Sequence, residues 1–426
     1  MVVNTQPTED AQRVAIRSRR DEIRSVAAGL FGKYGYSGTT MAHIAEAAGV
    51  LPGSLYHHFE SKEVIAIELL KELETALDAV GARLASERHQ GAPEQRVIAL
   101  TSEMMTVSYE HAAAVRLLIH EPPSVATERL RNAVTLRMPS LDKQWTDTMN
   151  DLAATVGATP FDTRLTRMAL GILSLNASAN FPQSDPRQLA EQLCELVLRG
   201  VTRITSDAHA LDSSSALRIA KEAVAAWGPA PGYPNRLRAP ADKILAAGRI
   251  EFARKGVDAT TVRDLATTAG VTMGTLYNYT DSKYTLVRQI IDDYAGHFDR
   301  AMTGVLESGA SAPEILDAMA WVAVNASRRF RNESDMVKVG WFDRDNESSP
   351  YFEYFTATQH RLGRLESLLA RGVAEGSLQP IVLAPATAAT IRLLIWVPYQ
   401  DFGRPSVTRT HAYLRHIMLN GFLAPR

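Results

Sequence analysis

The chain has 426 residues, 46% hydrophobic and 22% charged, with a formal net charge of −1. That length exceeds one compact helical core and predicts two to four domains at roughly 100 to 200 residues each, while the composition excludes collagen-like, mucin-like and disordered classes. Near-neutrality confines any nucleic-acid contact to local basic patches, and the single cysteine, Cys194, read as buried within a helix, excludes an internal disulfide and a cysteine-rich zinc site.

The N-terminal segment has no apolar signal region, and no later stretch offers the ~18 uninterrupted apolar residues of a membrane span. The expectation is a cytoplasmic, nucleoid-associated protein without a membrane partner. Arg13, Arg17, Arg19 and Arg20 form a basic arm. Ile23, Val26, Ala27, Leu30 and Phe31 then recur at spacings of three and four, one face of an amphipathic helix that stops at Gly35. Thr39 and Thr40 supply an N-cap for a second helix whose apolar side is Met41, Ile44, Ala45 and Ala48. Gly49 sits where a turn requires positive φ, and Val50 closes the space behind it.

A third helix starts at Pro52, in a first turn that tolerates a missing N–H, buries Leu55 and exposes Ser54 and His57. Two helices joined by a tight glycine turn, the second free to enter a major groove, are a helix-turn-helix. Gly53 lets a phosphate approach the backbone, and Tyr56 can aim a phenol at a phosphate oxygen. Lys62, following Ser61 at a capped helix start, completes an anion site. These contacts position the protein without reading sequence.

Residues 73–205 read as helical by periodicity. Between 206 and 239, Asp212-Ser-Ser-Ser and Trp227-Gly-Pro-Ala-Pro-Gly-Tyr-Pro-Asn235 break helices and mark a linker, with a helical run from Ala216 to Trp227 between them. The chain then repeats itself. The segment from Phe31 to Tyr56 recurs without a gap from Phe252 to Tyr277, 221 residues on, retaining Gly35/Gly256, Thr40/Thr261, Gly49/Gly270, Gly53/Gly274, Leu55/Leu276 and, beyond it, Lys62/Lys283. The expected organisation is a duplicated two-domain unit: helix-turn-helix domains at 12–72 and 240–295, helical regulatory domains at 73–205 and 296–426.

Thr261, Gly274, Tyr277 and Lys283 take the roles of Thr40, Gly53, Tyr56 and Lys62. Base reading falls to the exposed positions that differ, Leu51, Pro52, Ser54 and His57 against Thr272, Met273, Thr275 and Asn278, which implies different half-sites. The second copy has only Arg236, Arg238 and Lys243 as an arm, so the first gains more from phosphate or minor-groove contacts.

Thr-Thr-Met-Ala-His-Ile-Ala-Glu-Ala-Ala-Gly-Val with Gly-Ser-Leu-Tyr-His-His-Phe-Glu-Ser-Lys-Glu, and their second-copy counterparts, resemble the TetR family of bacterial regulators over about fifty residues per copy. The resemblance implies an all-α protein. Each unit would hold a three-helix DNA-binding part and a larger helical part for ligand binding and dimerisation. It also implies a double-stranded DNA operator as partner and, in this family, a homodimer on a palindrome. With both units in one chain, either they pair internally on an asymmetric site or two chains present four readers. The aromatic such modules carry after the third helix is Phe59 in copy one but Thr280 in copy two, so looser packing is expected there.

In the larger halves a pocket between helices is expected. Trp145, Trp341, Phe342, Tyr354, Phe355 and Trp396 are either its lining or plain core, and Arg116, His120, Arg344 or Arg392 would hold the polar end of a large apolar or acyl-CoA-like effector. Such an effector would release a repressor by changing the spacing of recognition helices that otherwise match one DNA turn, ~34 to 36 Å. A ligand-independent architectural DNA binder is the alternative. No Gly-x-Ser-x-Gly elbow, phosphate loop or His-Glu-x-x-His motif occurs, so no catalytic residue, metal or cofactor is expected.

Overall fold

The computed structural model describes residues 9–86, 91–120, 127–203, 207–228, 234–340, 344, 346–384, 387–395 and 405–425. The protein is all-α. The first half holds α1 (Glu9–Gly38, interrupted at Gly35), α2 (Met41–Ala47), α3 (Pro52–His58), α4 (Lys62–Ser86), α5 (Pro93–Glu110), α6 (Ala112–His120), α7 (Glu128–Ala133), α8 (Pro139–Val156), α9 (Pro160–Leu175), α10 (Ala177–Asn180) and α11 (Pro186–Arg199). After α12 (Ala208–Ser213) and α13 (Ser215–Ala225), the second half runs α14 (Pro240–Lys255), α15 (Val262–Ala269), α16 (Met273–Tyr279), α17 (Lys283–Leu306), α18 (Ala312–Arg329), α19 (Arg331–Val339), α20 (Phe352–Ala374), α21 (Thr387–Ile395) and α22 (Val407–Leu419).

Local chemistry explains many helix starts. Helices α3, α5, α8, α9 and α11 begin on proline, whose fixed φ and absent N–H suit a first turn. At α8 a tertiary contact stands in for the missing cap. The N-terminus of α8 lacks a side-chain cap, and Asp78 of α4 accepts from Ser140 N at 2.7 Å and Leu141 N at 3.3 Å. That approach requires Gly81, since a Cβ there would lie 2.2 Å from Leu141 N.

The repeat extends far beyond the helix-turn-helix. Lys62 and Lys283 open α4 and α17, and Asp185 and Ser406 cap α11 and α22 through their side chains, each pair again 221 residues apart. Long amphipathic helices carry each core: α4 buries Ile65, Leu69, Leu70, Leu73, Leu77 and Val80 against α5, α6 and α8.

The halves meet where α9 and α11 pack against α21 and α22. Val201 N donates to Met418 O at 2.9 Å, and its repeat mate Phe422 N donates to Val197 O at 3.0 Å. Thr202 N donates to Leu419 O at 3.0 Å, and Leu423 N to Leu198 O at 2.9 Å. Each bond is thus returned by its mate 221 residues on, the reciprocal pattern of a two-fold-related pair. Gly200 and Gly421, with φ of 71° and 81°, bring the two backbones together; a Cβ at either would stand 2.4 or 2.3 Å from the other half's main chain. The turn after α20 joins this seam, Leu378 forming an isolated antiparallel bridge with Thr202.

The segment before α14 packs on the second half. Helix α13, capped by Ser214, lies on α17 and α18, and Trp227 meets Phe330 edge-on with centroids 5.2 Å apart. Arg415 of α22 reaches Asp317 of α18 at 2.7 and 2.8 Å and Asp212 of α12 at 2.8 Å, while His411 Nε2 lies 2.9 Å from the Asp317 carboxylate.

Candidate nucleic-acid interface

Each helix-turn-helix is assembled from short-range chemistry. Thr40 caps α2 by accepting from His43 N at 3.1 Å. Thr261 caps α15 in a full capping box with Asp264, whose carboxyl is lowered to about 2 by the Thr261 backbone and hydroxyl and by Lys255. Gly49 and Gly270 turn the chain at φ of 64°, and Leu55 and Leu276 anchor the third helices in the core.

What remains outside is a matched pair of surfaces. Leu51 is 78% exposed and Tyr56 56%; Met273 is 39% and Tyr277 56%. Large apolar side chains normally withdraw from water, so their concentration at the start of both recognition helices marks a face built for contact. Pro52, Gly53, Ser54 and His57 share this exposed face, as do Thr272, Gly274 and Asn278, with Thr275 half-buried. The copies differ in readiness: Thr272 caps α16 and meets the Thr275 hydroxyl at 2.9 Å, whereas Leu51 gives α3 no side-chain cap.

Several basic residues serve inside the fold. Lys62 Nζ, expected at an anion site, donates to Tyr36 O and Thr39 O, both at 2.7 Å, and Lys283 Nζ donates to Asp258 O and Thr260 O at 3.0 and 3.2 Å. Both lysines therefore clamp the loop between the first two helices. Arg20, expected in the basic arm, pairs with Glu68, donates to His58 O and lies 3.9 Å over the Phe59 ring. Arg19 engages Glu22 at 2.6 Å and Ala48 O at 3.1 Å. The side chain of Arg17 lies outside the described residues.

Copy two replaces this packing. Thr280 stands buried in place of Phe59, its hydroxyl donating to Ser282 O at 2.8 Å, and Tyr279 OH exchanges contacts with Gln289 at 3.0 and 3.2 Å. Between its first two helices, copy one has an open groove lined by Leu30, Tyr34, His43 and Glu46. In copy two Glu251 binds Thr268 at 2.7 Å and Lys255 binds Asp264 at 3.1 Å in that place.

The expected effector residues scatter. Trp145 is core, its Nε1 donating to Met104 Sδ at 3.0 Å. Tyr354 and Phe355 are buried, Tyr354 stacking on Tyr294 with centroids 5.8 Å apart. Arg116 donates to Gly32 O of α1, linking regulatory part to DNA-binding part; burial, with Arg344 nearby, pulls its pKa below the ordinary value. Trp341, Phe342, Trp396 and the His120 side chain lie outside the described residues. A link that the sequence did not reveal is Arg249 of α14 to Glu333 of α19 at 2.7 Å, the second half's counterpart of the Arg116 tie; partners 84 positions apart leave no local pattern. Among the described residues no acid, histidine or cysteine cluster could hold a metal, and no helix is long and apolar enough to cross a membrane.

The family model described as "Bacterial regulatory proteins, tetR family" matches residues 23–69 and again 244–290, once on each module. The chain belongs to the TetR family. This TetR-family chain carries the DNA-binding module twice. It is similar to the HTH-type transcriptional repressor KstR2 of Mycobacterium tuberculosis, 34% identical over 32% of this chain and 66% of that one. To the KstR2 of Mycolicibacterium smegmatis it is 28% identical over 45% of this chain and 95% of that one. A solved structure described as the ketosteroid transcriptional regulator KstR2 of M. tuberculosis covers 43% of this chain and 94% of its own, with 22% identity and a TM-score of 0.38. The relatives are transcriptional regulators, not enzymes, and a DNA-binding regulator is what the family provides.

Proposed function

We propose that the chain is a sequence-specific transcriptional repressor whose two TetR-like units act as an internal pair on one asymmetric operator and leave it when a small apolar effector binds. The observation that carries this reading is the pair of recognition helices: one scaffold, the same exposed tyrosine at Tyr56 and Tyr277, and different side chains where bases would be read. The reciprocal seam supports internal pairing, because each half already fills the surface that a second chain would use. Likeness to KstR2 supports repression, and an effector of the lipid or steroid class, acting in the cytoplasm.

A gel shift and footprint on the DNA flanking the gene tests this. Wild type should protect one site without internal symmetry, with one chain per site by light scattering of the complex. Tyr56→Ala and Tyr277→Ala should each lose about tenfold in affinity, the weight of one good contact. Absence of sequence-selective binding by the wild type would sink the reading, and two chains per site would replace the internal pair with a dimer of paired units.

A further inference from the structure

Arg392 on α21 is half-buried, and its one hydrogen bond among the described residues crosses the seam: Nη2 donates to Asn180 Oδ1 of α10 at 2.8 Å. No carboxylate among the described residues pairs with it. By contrast Arg249 has Glu333 and Asp293, and Arg415 has Asp317 and Asp212. The cation beside Arg392 is Arg361, already satisfied by Asp299 and lying 5.3 Å from the Tyr354 ring centroid. Burial first, and the charge of Arg361 as well, pull the Arg392 guanidinium below its ordinary pKa. A guanidinium does not shed its proton in a protein, so among the described residues the place holds a positive charge without a counter-charge, an arrangement that burial penalises until an anion arrives.

We propose that Arg392 is the anion-binding end of an effector site at the seam between the halves, which takes an apolar ligand ending in a single carboxylate. The proposal rests on the effector-released reading above and names its ligand class. A carboxylate matches the two-pronged guanidinium, whereas a polyphosphate needs several free cations, and Arg361 is already committed. Tyr354 and Phe355, with Tyr294 stacked behind, offer an aromatic wall for the ligand's body. The repeat mate of Arg392 is Gly171, so the guanidinium has no counterpart in the first half. A ligand that draws Arg392 from Asn180 removes a bond between the halves, which couples occupancy to their relative placement.

The test is thermal melting and calorimetric titration of the full chain with hexanoate, decanoate and palmitate, with methyl decanoate and decanoyl-CoA alongside. At least one acid should raise the wild-type midpoint saturably and methyl decanoate should not. Arg392→Gln should need at least tenfold more acid, with Arg392→Lys between the two; the lysine variant also serves if the glutamine variant fails to fold. The proposal falls if no acid stabilises the wild type, if the ester matches the acid, or if Arg392→Gln binds as wild type does. Tighter, Arg392-dependent binding of decanoyl-CoA than of decanoate would overturn the single-carboxylate assignment. No DNA enters these measurements, so their failure leaves operator binding standing, and a failed gel shift leaves them interpretable.

Discussion

Lys62 and Lys283 show how one residue can be read correctly for position and differently for partner. In the sequence each follows a serine at a helix start, where free N–H groups and a cation suggest a phosphate site. In the fold each ammonium is fixed by carbonyls more than twenty positions upstream, which no local spacing discloses. Hydrogen bonds to a charged donor contribute about 1.5 to 3 kcal/mol each at most, and the shorter pair at Lys62 should matter more. Lys62→Met, which keeps the stem, is expected to destabilise the first module by about 2 kcal/mol and Lys283→Met by about 1 kcal/mol, read as faster amide exchange in α2 and α15. Unchanged exchange with a loss of DNA affinity would assign the ammonium to phosphate instead. Cys194 is the simpler case: a lone cysteine on an apolar helical face reads as core, and burial pushes its thiol up to about 12.

At the scale of elements, the short helices of the two modules were legible because caps, turn glycines and proline starts are local signals. The regulatory helices were legible as helices only, because repeat positions there do not share chemistry: Arg96, Ala190 and Cys194 in one half stand where Asp317, His411 and Arg415 stand in the other. The helical run expected inside the linker is α13, with α12 ahead of it, held on the second half through Asp317 and Arg415. Burial alone would raise the Asp317 carboxyl, but hydrogen bonds from His411 and Arg415 outweigh it and hold the group below the ordinary value. A carboxyl depressed in the folded state adds stability that is present above its unfolded pKa, about 3.9, and is lost as pH falls through the folded value. Melting midpoints should therefore drop below about pH 4. Asp317→Asn should cost about 3 kcal/mol at neutral pH and flatten that acid limb, because it strips a counter-charge from an enclosed arginine. A variant with the wild-type pH profile would show that the tie carries no weight.

For the whole molecule, the constant offset from Lys62/Lys283 to Gly200/Gly421 makes the halves structural copies as far as the last helix, although only the DNA-binding segments reveal this in sequence. Their seam depends on two glycines at positive φ with no room for a side chain. Gly200→Val or Gly421→Val should force the backbones apart, costing about 1 to 3 kcal/mol from crowding alone. Small-angle scattering should report a larger radius of gyration, with operator affinity down about tenfold while each isolated half-site contact persists; an unchanged radius would mean that the halves are held elsewhere. The bonds across this seam close a single covalent chain, and that changes the arithmetic of regulation. Separate subunits must find each other, so the active species falls off steeply as copy number drops. If the two units are each other's partners, as proposed, the partner is present at an effective concentration on the order of millimolar, set by the tether rather than by expression. On the internal-pair reading proposed above, occupancy of the operator should follow the first power of protein concentration.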